Sequence, residues 1–270
     1  MVYGEAKEIF RKNSKEKFSA LKEKYNSGKK IVMLTSYDYP TAKILDAAGI
    51  DLILVGDSLA MAVLGLKDTK SMTMMEMTHH AKAVCRAVEN AIVVGDMPIN
   101  TYNSPKESLE NAKKFMESGC DAVKLEGCKI EEIQALVNEG IPVMAHLGLL
   151  PQTAEVYKVQ GRTEEEAERI FKESIQVDKA GAFSLVLECV PTELGKKITA
   201  NVNCPTIGIV AGIHCSGQVL VINDILGLDK DFNPKFVKKY LNLHDEILGA
   251  VKKFKTDVEE KKFPAEENSF

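Results

Sequence analysis

The sequence predicts an α/β protein built as a (β/α)8 TIM barrel, with a leading N-terminal helix and extra C-terminal helices. Eight short apolar runs rich in β-branched residues recur along the 270 residues, helix-like segments separate most of them, and polar residues gather at the C-terminal ends of the runs. Near-continuous apolar strands without period-two alternation belong to a parallel sheet covered on both faces, and eight such units close into a barrel. An open doubly wound sheet fits less well. No GxGxxG follows the first strand, and the polar strand ends are spread along the chain, not gathered at one switch point. The length suits one domain over residues 1–270, and no linker or shift of composition marks a second.

The elements follow in order. Residues 11–30, RKNSKEKFSALKEKYNSGKK, interleave basic residues with Glu and apolar side chains, the pattern of a solvated helix face. Strands are predicted at 30–38 (KIVMLTSYD), 51–57 (DLILVGD), 91–96 (AIVVGD), 121–127 (DAVKLEG), 142–148 (PVMAHLG), 184–190 (SLVLECV), 205–212 (PTIGIVAG) and 218–224 (QVLVIND). Helices are predicted from Thr41 to Ala48, Met74 to Val88, Pro105 to Ser118, Ile130 to Asn138, Thr163 to Ala180 and Thr192 to Ala200. Their boundaries carry the expected signals: Ser104 before Pro105 with Glu107 following, and a glycine after the last turn at Gly49, Gly119, Gly140 and Gly181. Beyond the last strand, NPKFVKKYLNLHDEILGAVKKFKTDVEEKKF reads as one or two amphipathic helices for packing or oligomer contacts.

Composition narrows the function. With 35 Lys+Arg against 39 Asp+Glu and a formal net charge of −4, there is no excess of positive charge to attract nucleic acid or an anionic membrane. The start of the chain lacks a signal-peptide pattern, and no window holds the ~18 apolar residues of a membrane span, so a cytoplasmic protein is expected. Six cysteines (Cys85, Cys120, Cys128, Cys189, Cys204, Cys215) show neither a CxxC pair nor zinc-site spacing, which fits reduced thiols.

In such a barrel the C-terminal strand ends converge on one mouth. Reading off those ends gives Asp57 and Ser58, Asp96, Lys124 and Glu126, His146, Glu188 and the loop GIVAGI. Taken singly, each acid has a plainer reading as a helix cap or turn residue. Asp57 and Asp96 end successive strands in the same way, however, and several carboxylates facing one cavity repel unless a cation sits among them. Hard oxygen ligands favour Mg²⁺. Lys124, between Val123 and Leu125 in a buried strand, must meet an anion, and Glu126 is one partner within reach. His146 reads either as a satisfied core histidine or as a hydrogen-bonding wall residue. The tandem His79 and His80 have no ligand spacing and read as structural or exposed.

Nine segments in sequence order, TSYDYPTAK, LVGDSLAM, GDMPI, VKLEG, AHLGLLPQ, YKVQGR, LVLECVP, IGIVAG and the tail FPAEENSF, together resemble the ketopantoate hydroxymethyltransferase family from about Ile31 to the C-terminus. The resemblance implies a Mg²⁺-dependent enzyme of pantothenate biosynthesis, on a barrel shared with the phosphoenolpyruvate mutase and isocitrate lyase group. It would transfer a one-carbon unit from 5,10-methylenetetrahydrofolate to 3-methyl-2-oxobutanoate, giving 2-dehydropantoate. It places metal ligands at Asp57 and Asp96, with Glu126 near the metal through water, and substrate contacts at Asp57, Ser58, Asp96 and Lys124. The proton acceptor falls on Glu188, with His146 in the surrounding layer. A homo-oligomer, specifically a decamer, is implied as well.

Three positions depart from the family's usual pattern. Ala60 stands where GDSLGM is usual, Val210 where IGIGAG is usual, and Ile99 where an aromatic is common. Were either glycine position to need positive φ, Ala or especially Val would strain it. Two other readings stay open: a related lyase or mutase acting on another 2-oxo acid, for which Cys189 and Cys128 would be reactive-thiol candidates, and a non-catalytic barrel.

Overall fold

The computed structural model describes residues 14–270, so positions 11–13 of the expected leading helix lie outside the described residues. Helix α1 (Ser14–Asn26) is followed by β1 (Ile31–Thr35), α2 (Tyr39–Ala47), β2 (Leu52–Val55), α3 (Leu59–Ala62), α4 (Met74–Ala87), β3 (Ile92–Asp96) and α5 (Pro105–Glu117). Then come β4 (Ala122–Glu126), α6 (Ile130–Asn138), β5 (Val143–Gly148), α7 (Glu164–Lys179), β6 (Ser184–Glu188), α8 (Thr192–Thr199), β7 (Thr206–Ile209), β8 (Gly217–Leu220), α9 (Ile222–Ile225) and α10 (Leu243–Glu259). The eight strands form a closed barrel in sequence order, and every pairing from β1–β2 to β7–β8 is parallel. The predicted (β/α)8 barrel is the observed architecture.

Local chemistry sets the helix boundaries. Thr73 and Glu76 close a reciprocal capping box on α4, while Ser104 and Thr163 accept from the backbone N–H groups of Glu107 and Glu166 on α5 and α7. Gly95 in β3 leaves room for α5 to lie against the sheet. A Cβ there would stand 2.3 Å from Cδ1 of Phe115, a fully buried side chain.

One expectation is corrected. The last strand does not run through 218–224 but stops at Leu220, because Leu226 N–H bonds to Ile222 C=O and turns Ile222–Ile225 into a helix. The chain after it forms one long helix, α10, within the expected one or two, with no regular helix between Pro234 and Asn242. The short helix α3, which was not among the predicted helices, is separated from the end of β2 by residues 56–58.

By its contacts the chain divides into two compact units, Met1–Val219 and Leu220–Phe270. Within the second, the end of α9 is tied to the chain entering α10 by bonds from Tyr240 N to Ile225 O and from Leu243 N to Leu226 O. Helix α10 has no buried residue and exposes Ile247, Val251, Phe254 and Val258 at helical spacing. No helix among the described residues is long and apolar enough to cross a membrane.

In the first unit, the lower part of the barrel is filled by Ile31, Met33, Leu52, Leu54, Ile92, Val94, Ala122, Met144, Val186 and Ile207. Phe18 of α1 and Phe183 pack against this core with ring centroids 5.1 Å apart. Carboxylates tie the N-terminal side of the sheet. Buried Asp121 takes Lys17 Nζ at 3.0 Å and the Val93 N–H at 3.0 Å, joining α1 to β3. Asp46 accepts the N–H groups of Glu89, Asn90 and Ala91, and Asp178 accepts those of Asn203 and Cys204, fixing the turns that enter β3 and β7.

Burial would push the proton affinity of Asp46 and Asp178 up, but the backbone N–H groups outweigh it and hold both below the ordinary 3.8. A carboxylate depressed in the folded state adds stability above its unfolded value, and that share is lost as pH falls through the depressed one. Asp178→Asn is therefore expected to destabilise the protein at pH 7 by on the order of 1 kcal/mol, after screening at this half-buried site. The difference from the parent should shrink below pH 3.8. Urea unfolding of both proteins at pH 7 and near pH 3 checks this; a gap independent of pH would contradict it.

Candidate active site

Strand alternation carries the site upward from the core. The parity that turns Ile92 and Val94 inward puts Asp96 on the same face one step higher. The same rule takes Ala122 to Lys124 and Glu126, Met144 to His146, and Val186 to Glu188. Register then sets the neighbours: Asp96 opposite Lys124, Glu126 opposite His146, and Gly148 opposite Glu188. Gly148, at φ 98°, lets β5 and β6 close up here, since a Cβ would stand 2.2 Å from the Glu188 carbonyl oxygen. Asp57 and Ser58 follow β2, with the Asp57 N–H donating to Asp96 Oδ2 at 3.1 Å. Of the residues singled out at the strand ends, Asp57, Asp96, Lys124, Glu126, His146 and Glu188 thus stand in one linked cluster, and Ser58 follows Asp57 directly.

Lys124 sits at its centre, 2.7 Å from Asp96 Oδ1 and 3.7 Å from Glu126 Oε1. Burial disfavours its charge, but Asp96, Glu126 and Asp57 together overcome that and raise its proton affinity. His146 lies 3.4 Å from Glu126 Oε1 and 3.3 Å from Glu188 Oε2. Burial and Lys124 oppose its protonation, yet the two carboxylates prevail and lift it to about 9. The two flanking acids thus favour the imidazolium form. Glu126 is drawn down despite burial, by His146 and Lys124, whereas Asp57 is pushed up by burial and by Asp96 and Glu126. Four carboxyl groups here face two cationic side chains, and Asp57 bears the excess.

Glu126 Oε1 and both ring nitrogens of His146 are buried without an aligned hydrogen-bond partner. Among the described residues, no three His, Cys, Asp or Glu side chains already form a metal cage. Mg²⁺ does not require one, since it is commonly held by one or two carboxylates with waters and substrate oxygens completing its shell. The all-oxygen donors of Asp57 and Asp96, with the orphaned Glu126 Oε1 nearby, fit an ion of that kind.

The structure adds residues that the strand-end reading missed. Tyr37 pairs its hydroxyl with Ser58 Oγ at 2.8 Å, and its backbone carbonyl meets His80 Nδ1 at 2.6 Å, which gives the tandem histidines a structural contact. Gln152, fully buried, reaches Asp57 from the loop after β5, and Tyr102 hydrogen-bonds to Gln152. Tyr37 and Gln152 lie inside the quoted segments TSYDYPTAK and AHLGLLPQ, but nothing in residue type or spacing showed that they reach this cluster. None of the six cysteines forms a disulfide. Burial and Glu188 push the Cys189 thiol up, and burial and Glu173 do the same to Cys128, so neither is an activated thiolate.

Comparison with known proteins follows from this geometry. A family model described as ketopantoate hydroxymethyltransferase matches residues 15–266. The chain belongs to the ketopantoate hydroxymethyltransferase family. It is accordingly a transferase of the pantothenate pathway. Relatives named 3-methyl-2-oxobutanoate hydroxymethyltransferase include one from Syntrophomonas wolfei, 49% identical over 93% of this chain and 94% of its own. Another from Ignicoccus hospitalis is 51% identical over 90% of this chain and 95% of its own.

Solved structures share the fold at low identity. A putative phosphonomutase from Burkholderia cenocepacia covers 80% of this chain and 97% of its own, with TM-score 0.65 and 16% identity. A phosphonopyruvate hydrolase in complex with oxalate and Mg²⁺ covers 93% of each chain, with TM-score 0.60 and 14% identity.

The two glycine departures from the family pattern separate cleanly. Ala60 lies in α3, fully buried in helical backbone, and meets no conformational penalty. Val210 has φ 56° in the left-handed region, where a β-branched residue is strained. Cys189, at the end of the neighbouring strand, has φ 52°. Val210→Gly is expected to stabilise the protein by about 0.5–1 kcal/mol after the entropic cost of glycine, while Ala60→Gly destabilises it by about 1 kcal/mol. Thermal unfolding should show melting-temperature shifts of opposite sign, roughly 2–4 °C each. Shifts of the same sign would remove the strain at Val210.

Proposed function

We propose that the chain transfers a hydroxymethyl unit from 5,10-methylenetetrahydrofolate to 3-methyl-2-oxobutanoate, giving 2-dehydropantoate through an enolate. The observation that carries this reading is one mouth joining Asp57, Asp96, Lys124, Glu126, His146 and Glu188 in a chain about half identical to relatives named for that reaction.

Asp57 and Asp96 would hold Mg²⁺, with Glu126 beyond them through water. The bound ion supplies a Lewis acid that stabilises negative charge on the ketone oxygen and so acidifies the adjacent C–H. The fold neighbour held with oxalate and Mg²⁺ offers an analogy at the level of fold.

The chain's own residues do the rest. Lys124, kept charged by its three acidic neighbours, binds the substrate carboxylate or balances charge at Asp96. Ser58, fixed by Tyr37, offers its hydroxyl or its backbone N–H to the same carboxylate. Water adds to the methylene carbon of the folate and both of its C–N bonds break, so that tetrahydrofolate leaves and the carbon stands at the level of formaldehyde. Glu188 takes the C3 proton of the 2-oxo acid, C3 bonds to that carbon as its C=O π bond opens, and the new alkoxide takes up a proton to become the hydroxymethyl group. His146, whose protonated form the Glu126 and Glu188 carboxylates favour, balances their charge and is not assigned the role of base.

The reading includes a cytoplasmic homo-oligomer, a decamer, for which the exposed apolar row of α10 is a contact candidate. A lyase relying on an activated thiol is less well supported, since burial leaves both Cys189 and Cys128 protonated.

Proton–deuterium exchange at C3 of 3-methyl-2-oxobutanoate, followed by NMR in D₂O without folate, tests the first half of the reaction. Exchange is expected with Mg²⁺ and should disappear with chelator. Glu188→Gln should slow it about 10²-fold or more while leaving substrate binding in place. Exchange unaltered in Glu188→Gln would remove that residue from its role, and exchange unaffected by chelation would remove the metal.

A further inference from the structure

Gln152 lies in the loop following β5, is fully buried, and its side-chain contacts cross the barrel mouth. Its Nε2 donates to Asp57 Oδ2 at 2.9 Å and to the Met97 carbonyl oxygen at 3.0 Å, and its Oε1 accepts from the Tyr102 hydroxyl. Its backbone N–H donates to Glu126 Oε2 at 3.2 Å. A carbonyl oxygen can only accept, so Met97 fixes which end of the amide is nitrogen. Tyr102 closes the other end. Burial, and the nearby Glu126 charge, hold the Tyr102 phenol in its neutral, donating form.

One residue therefore engages one oxygen of each of two acids from the loop side. Asp57 is held by Oδ2 and Glu126 by Oε2, while Glu126 Oε1 stays buried without an aligned partner. A carboxylate so tethered cannot rotate freely, and its second oxygen points where the first is not. A carboxamide suits this task because it donates without adding negative charge to a cluster already rich in carboxyl groups.

We propose that Gln152 is a positioning residue of the site: locked by Tyr102 and Met97, it tethers Asp57 and Glu126 by one oxygen each, so that the other oxygen of Asp57 is presented to a divalent cation and Glu126 is kept beside that ion's water, its Oε1 facing Lys124 and His146. This rests on the reading of Asp57 as a metal ligand. Tyr102 acts through Gln152 and serves the same end. Partners that orient metal ligands typically alter metal affinity by about 10–100-fold when removed.

The test is Mn²⁺ binding to the purified full-length protein, measured by electron paramagnetic resonance without substrate, beside thermal unfolding of each variant. Gln152→Met, similar in size and unable to donate, is expected to weaken Mn²⁺ binding about tenfold or more. Tyr102→Phe, which removes one oxygen atom, should weaken it severalfold with little change in melting temperature. A purely structural role would lower the melting temperature while leaving Mn²⁺ affinity at the parent value, and that result overturns the proposal. If Gln152→Met does not fold, Tyr102→Phe decides, and unchanged affinity there is equally fatal. Asp57→Asn separates the two layers: if it weakens Mn²⁺ binding and Gln152→Met does not, the positioning role fails and the ligand reading stands. Parent protein that binds no Mn²⁺ overturns both.

Discussion

The ion pair between Lys124 and Asp96 is the interaction on which the rest of the mouth depends. Both side chains are buried, at 2.7 Å, and an isolated charge at either place would be prohibitively costly to desolvate. Such pairs seldom add net stability over an apolar substitute, so their presence speaks for placement over strength. Here Lys124 makes it possible for Asp96 and Glu126 to occupy adjacent barrel strands, and Asp96 in turn receives the Asp57 N–H. Without the ammonium group, three acids would crowd one apolar-floored cavity.

The fold was legible because each signal was local. An apolar run, a polar end, a cap and a glycine repeat along the chain, and a parallel barrel is the arrangement that buries such runs on both faces. Asp57, Asp96, Lys124, Glu126, His146 and Glu188 could be found the same way, since strand ends in a barrel share one face of the molecule. Gln152 and Tyr102 could not. They reach the site from loops, and a loop's path depends on tertiary contacts such as the Met97 carbonyl that receives the Gln152 amide. The end of β8 was misjudged for a related reason: Val221 and Ile222 are good strand residues, and only the helical bonds that follow turn them away from the sheet.

Val210 and Cys189 connect backbone conformation to the mouth. They end adjacent strands, both hold left-handed backbone, and the Cys189 N–H bonds to the Ile209 carbonyl between them. Non-glycine residues keep such angles only where the surroundings overdetermine them. Cys189 follows Glu188 directly, so its left-handed backbone turns the chain out of β6 just past the Glu188 position. Nothing similar applies at Ala60, which sits in ordinary helix, and the two departures from the family pattern therefore differ in kind.

The division of labour between His146 and Glu188 follows from the same electrostatics. Histidine is the usual candidate for a base near neutral pH, and His146 is central and buried. But a base must be unprotonated to accept. The carboxylates on either side lift His146 to about 9, which favours the protonated ring at pH 7. Glu188, by contrast, ends its strand at the rim with 19% of its side chain exposed, where a substrate carbon can approach. The Nε2 of His146 lies 3.3 Å from Glu188 Oε2 and its Nδ1 3.4 Å from Glu126 Oε1, charge contacts with no aligned hydrogen bond at either nitrogen. The proposed assignment, Glu188 as base with a charge-balancing His146 beside it, agrees with these distances and charges.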